Sequence, residues 1–161
     1  MTNRRDVDQM GGIRRVKKIR EDRAQKEVQK AKNEVDRRYS ELDRTKRSLE
    51  DFKNSKSDRA QSLFQEIQGK AVSIKDIQRY NGALAALDEE QQQLAGKVDT
   101  ARSNVSSAER ELVQARDHHK VQAKNHRKIQ EVHDTLKEQY KQGMIKAEER
   151  NAEDDFIYKG K

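Results

Sequence analysis

The sequence predicts an all-α protein, a long two-helix antiparallel coiled-coil hairpin, and three observations predict it. Apolar residues recur in heptads through the second half, proline is absent, and the apolar content is too low for a layered globular core. Of 161 residues, 31% are hydrophobic, 4% aromatic and 40% charged, which leaves a sandwich or α/β fold without filling and narrows the choice to long helices or disorder. Proline separates these two, because a helix interior excludes it at about 3 kcal/mol per residue whereas disordered segments are commonly rich in it. The rest of the chain is dominated by Ala, Leu, Lys, Arg, Glu and Gln, all strong helix formers.

Residues 1–12 read as a flexible basic N-terminus and residues 13–68 as helix 1. Val28, Val35, Leu42, Leu49 and Leu63 form one seam of that helix, and Ala31, Thr45 and Phe52 the other. Lys56 and Arg59 interrupt the pattern, after which Ala60, Leu63, Phe64 and Ile67 suggest a rotated stripe. Upstream, Ile13, Val16 and Ala24 are expected to join the seam through a stutter in the heptad phase.

Residues 69–73 read as the turn. Gly69 supplies a helix stop, and Ser73 with Asp76 resembles a capping box that opens the next helix. Asn81-Gly82 competes as a turn dipeptide, but Ile77, Tyr80, Leu84 and Leu87 keep their phase across it. Helix 2 is placed at residues 74–147. One seam runs Ile77, Leu84, Gln91, Val98, Val105, Leu112, His119, His126, His133, Tyr140, and its companion runs Tyr80, Leu87, Leu94, Ala101, Ala108, Ala115, Gln122, Ile129, Leu136, Gly143. A seven-residue repeat sustained over roughly ten heptads keeps one stripe facing a supercoiling partner.

A short loop between long helices makes them antiparallel neighbours. A turn centred near residue 71 sets Leu49 near Leu94, Leu42 near Ala101, Val35 near Ala108 and Val28 near Ala115, large against small. Residues 148–161 read as an acidic flexible tail carrying the apolar triplet Phe156-Ile157-Tyr158, incidental or a docking peptide.

The chain has no cysteine, hence no disulfide framework or thiolate metal site, which suits a reducing compartment. Neither a signal-peptide block nor a membrane-length apolar run is visible, so a cytoplasmic location is expected. All four histidines lie between residues 117 and 134. A helical metal site needs ligands three or four residues apart, whereas His119, His126 and His133 are spaced by seven, about 10 Å along a helix axis. They read as a polar seam, with a pH switch as the rarer alternative. A phosphate loop and a concave pocket for a general base are both missing, so neither enzyme activity nor a cofactor is expected.

Arg4, Arg5, Arg14, Arg15, Lys17, Lys18, Arg20 and Arg23 cluster at the start, and the pairing rule sets them beside Lys120, Lys124, Arg127 and Lys128. Such a cluster is often only a solvated face. Nucleic acid is the familiar rival, but the region lacks stacking aromatics; an acidic cavity in a protein partner is the third reading.

VKKIREDRAQKEV near the start, the hairpin, and IQRYNGALAALDEEQQQL after the turn resemble the central-stalk proteins of type III secretion, the injectisome stalk and its relative in flagellar export. The resemblance implies a stalk whose terminal end enters a hexameric secretion ATPase and which links that ring to the cytoplasmic domain of the export gate, with escort of secretion chaperones. It implies Arg14, Arg15, Lys17, Lys18, Arg20, Lys124, Arg127 and Lys128 as the partner-binding residues. The expected protein is monomeric alone, reaches a membrane only through its partners and has no nucleic-acid role. A generic coiled-coil scaffold and, less favoured, a nucleic-acid-binding rod stand as alternatives.

Overall fold

The computed structural model describes residues 2–160, which form two helices, α1 (Arg4–Ile67) and α2 (Ile74–Lys159). The connection between them spans residues 68–73 and contains Gly69 at φ 74°. That left-handed conformation suits glycine, which lacks the Cβ that would clash there. The start of α2 is held by a reciprocal box: Asp76 N–H donates to Ser73 Oγ at 3.2 Å, and Ser73 N–H donates to Asp76 Oδ2 at 3.0 Å. The bond from Ser73 N–H, and after it one that Ser73 Oγ–H donates to the same Oδ2 at 2.9 Å, hold the Asp76 carboxyl below its ordinary range. Asn81 and Gly82 lie inside uninterrupted helix, because the heptad on either side outweighs the local turn preference.

Both helices outrun the sequence-based boundaries. α1 begins at Arg4 rather than 13, since Asn3 and Asp6 form a second reciprocal box: Asp6 N–H to Asn3 Oδ1 at 2.9 Å and Asn3 N–H to Asp6 Oδ2 at 3.2 Å. An Asp at the third helical position therefore does what Glu or Gln more often does. At the other end α2 continues to Lys159 instead of stopping at 147, in a stretch that is rich in helix formers and contains no proline.

The chain divides into two compact units, each with a segment of α1 antiparallel to a segment of α2. The unit Ala31–Leu112 holds most of the core. Leu42, Val98, Ala101 and Val105 are buried together with Leu49 packed against them, and Ala108 and Phe52 are also buried. Leu42 thus meets Ala101 as the pairing predicts; the alanines let the backbones approach while Leu and Val fill the space. Lys56, expected to break the seam, stays half-buried in it and donates to Asp88 at 2.6 Å and Gln91 at 2.9 Å. The stripe does rotate afterwards: Arg59 is exposed over the Phe52 ring at 5.3 Å, Ala60 and Leu63 are half-buried, and Phe64 tilts against Tyr80.

Within each unit, side-chain contacts between α1 and α2 mostly fall beyond the simple pairing rule, by up to about two helical turns. Tyr39 donates to Glu109, six residues past the expected 103. The cause is the lean of helical side chains toward the N-terminus of their own helix. In an antiparallel pair both partners lean away from each other's position, so side chains that meet carry higher numbers than facing Cα atoms do. The hydrogen bond to Glu109, with its negative charge, raises the Tyr39 phenol.

The other unit comprises residues up to Lys30 and from Val113 on. Among the described residues Ala24 is its one buried core residue. The expected stutter is absent, for Ala24 stands seven residues before Ala31, and the same phase continues upstream through Met10, Arg14, Lys17 and Glu21, all half-buried. Ile13 and Val16 are consequently outside the seam and exposed. From Lys141 onward every described residue of α2 is exposed, the Phe156-Ile157-Tyr158 triplet included.

Candidate functional site

The seam of the unit that carries both chain ends holds polar residues on both helices, beside the apolar Ala24, Val28, Ile129 and Leu136. Half-buried His119, His126 and His133 of α2 occupy the expected positions, whereas His118 is exposed. His126 Nδ1 lies 2.6 Å from Glu21 Oε2. The approach is close but poorly directed, and Glu21 Oε2 lacks a hydrogen-bond partner of good geometry. The His133 ring packs over Gly11, where an added Cβ would stand 3.3 Å from Nε2. Its Nδ1 has no hydrogen-bond partner, the nearest carboxylate being Asp134 at 3.7 Å, beyond hydrogen-bonding range. Among the described residues no group of three or more His, Asp or Glu side chains converges as a metal site would require.

The basic residues surround this seam. Arg14 and Lys17 sit in it, half-buried. Arg15, Lys18 and Arg20 are exposed on the flanks of α1, and Lys124, Arg127 and Lys128 are exposed on α2. Arg14, Arg15 and Lys18 come together with His126, Gln130 and Ile19 around a groove of about 430 Å³. Arg20 and the α2 cations lie away from that groove. The eight residues singled out in the sequence therefore form a belt around the unit rather than one patch. Lys18 is paired with Asp22 at 3.1 Å, a surface ion pair of the kind worth at most about 1 kcal/mol.

Sequence reasoning missed Glu21, Gly11 and the outward turn of Ile13, Val16 and Ile19. Counting back in sevens from Val28 and Ala31 would have found Glu21, Arg14, Lys17 and Met10; the apolar look of Ile13 and Val16 drew the seam to them instead. A groove of about 730 Å³ beside the start of α1, lined by Thr2, Asn3, Tyr140, Gly143 and Met144, is a further feature of this unit. Thr2 Oγ1 donates to Gln139 Oε1 there at 2.8 Å. Among the described residues no helix is long and apolar enough to cross a membrane.

The arrangement offers cations, a polar seam and grooves open to a macromolecular surface. Comparison with known proteins agrees with the resemblance read from the sequence. The family model described as type III secretion protein YscO matches residues 11–157. No curated protein sequence matches the chain. Among solved structures, the 2.8 Å crystal structure of type III secretion protein YscO from Vibrio parahaemolyticus is similar with a TM-score of 0.84. The likeness covers 92% of this chain and 94% of that one at 22% identity, and shows the shared fold.

Proposed function

Because the chain belongs to the YscO family of type III secretion proteins, we propose that it is the central stalk of such a secretion system. In this reading it catalyses no reaction of its own. The end that carries both chain termini inserts into a hexameric secretion ATPase, and the hairpin links that ring to the cytoplasmic domain of the export gate. Escort of secretion chaperones is a further part of the role, and the work is done at the cytoplasmic face of the apparatus by a protein that is monomeric alone.

The observation that carries the reading is the belt of cations around the terminal unit. Arg14, Arg15, Lys17, Lys18 and Arg20 on α1, with Lys124, Arg127 and Lys128 on α2, present positive charge on several sides at once. An enclosing acidic wall is complementary to such a belt, and complementary charge raises encounter rates and fixes register. An asymmetric insert can also bind the states of ring subunits unequally, which is what shifting their populations requires.

The test is reconstitution with the cognate ATPase. Adding the protein is expected to promote ring assembly and stimulate ATP hydrolysis, and Arg14→Glu, Arg15→Glu, Lys17→Glu and Lys18→Glu together are expected to abolish both. No stimulation by the unaltered protein at low salt would sink the proposal.

A further inference from the structure

Ile13, Val16 and Ile19 are exposed at 43%, 47% and 57% on a segment of α1 otherwise crowded with cations. The half-buried seam residues Arg14, Lys17, Glu21 and Ala24's burial show that α1 turns its other side toward α2. The three apolar side chains therefore face outward as a ridge, with Arg15, Arg20 and Arg23 exposed around it. Ile19, at its end, lines the 430 Å³ groove with Arg14, Arg15, Lys18 and His126. In the unit Ala31–Leu112 the exposed large apolar residues of α1, Tyr39 and Phe64, each meet a residue of α2, Glu109 and Tyr80, and Val72, Ile74 and Ile77 are exposed at and just after the connection.

We infer that this ridge is the apolar contact by which the terminal unit grips an acidic-walled protein cavity, and that in the stalk reading, on which the inference rests, the cavity is the pore of the ATPase ring. One feature favours an enclosing protein over a flat anionic bilayer: Lys124, Arg127 and Lys128 extend the positive charge onto α2, so a plane against α1 would leave much of the belt unused.

The ridge and the belt then do different things. Cations spread over several sides attract the wall from any rotational setting and slide between settings at little cost. The ridge occupies one side only, so in a ring of like subunits it seats against one or two of them. Charge supplies attachment, and the ridge supplies the distinction among subunits on which stimulation depends.

Reconstitution with the ATPase separates the two. Ile13→Ser, Val16→Ser and Ile19→Ser together leave the seam intact and are expected to keep the thermal unfolding temperature and salt-sensitive binding, while stimulation of hydrolysis falls at least fivefold. Ile19→Ser alone serves as a milder variant with a partial loss. Phe156→Ser with Ile157→Ser removes exposed apolar surface elsewhere on the unit and is expected to leave stimulation unchanged. Full stimulation by the triple variant, or an equal loss from the Phe156/Ile157 pair, overturns the inference while leaving the stalk reading standing. Failure of the unaltered protein to bind or stimulate overturns both. Binding to phosphatidylserine vesicles in preference to the ATPase, lost in the triple variant, assigns the ridge to a membrane and also overturns it.

Discussion

The unit Ala31–Leu112 and the unit carrying the two chain ends use the same heptad to opposite effect. In the first, Leu42 packs with Val98, Ala101 and Val105, and the centre of the seam is a thin apolar core. In the second, the same positions hold Arg14, Lys17 and Glu21 on α1 and His119, His126 and His133 on α2. There the seam leaves Glu21 Oε2 and His133 Nδ1 without hydrogen-bond partners. The difference teaches that the repeat specifies which side of a helix meets its partner, while the residue types in it decide how firmly. One unit is built to hold together, and the other spends its seam on charge.

Truncating a core side chain should break the comparison most visibly. Leu42→Ala is expected to lower stability by about 2–4 kcal/mol, the usual cost of a Leu cavity, with a matching fall in the urea midpoint. Ile19→Ala, on exposed surface, is expected to change it by less than about 0.5 kcal/mol. Similar losses from the two would deny that the units differ.

Glycines sharpen it on a smaller scale. Gly96 has nothing within 4 Å of an added Cβ, so Gly96→Ala is expected to stabilise by about 0.5–1 kcal/mol, the helical preference of Ala over Gly. Gly11→Ala meets His133 Nε2 at 3.3 Å. Because that ring is loosely held, it gives way at a cost, and the gain should be smaller than at Gly96. Thermal melts of the two variants check the order; a larger gain at Gly11 would contradict it.

Acid gives the smallest effect. Hydrogen bonds from Arg37, then its charge and those of Arg38, hold the Glu34 carboxyl at about 2, down from 4.5. A depressed folded value means the contribution is fully present above 4.5 and is lost as pH falls toward 2. The Asp76 cap shifts in the same direction. The urea midpoint should therefore fall as pH is lowered from 5 to 2, and Glu34→Gln should flatten part of that decline.

The heptad of α2 was legible because its signal is local and repeated: the seam from Tyr80 to Tyr140 is shielded at the expected positions. The turn chemistry of Gly69, Ser73 and Asp76 was legible for the same reason. Where hydrophobicity and phase disagreed, reading failed, as at Ile13 and Val16, since apolar type was weighed above spacing. Register slipped because it depends on side-chain lean, which no residue list displays. The site was legible as composition but not as placement: the cations were identifiable, whereas their distribution around two helices and the Glu21–His126 contact require both helices together.

A heptad sustained through most of both helices and joined by a connection as short as residues 68–73 also restricts how such a chain can change length. Seven residues added to α1 alone would slide Leu42 past its Ala101 partner by about two turns, filling the apolar core with mismatched sizes. Seven added to both helices at facing positions would restore every pairing beyond the insertion. Lengths within this architecture are thus quantised in steps of about fourteen residues, and a natural or engineered relative of different reach is expected to differ by such matched pairs. Insertion and deletion histories, rather than substitutions, would carry the clearest record of the seam.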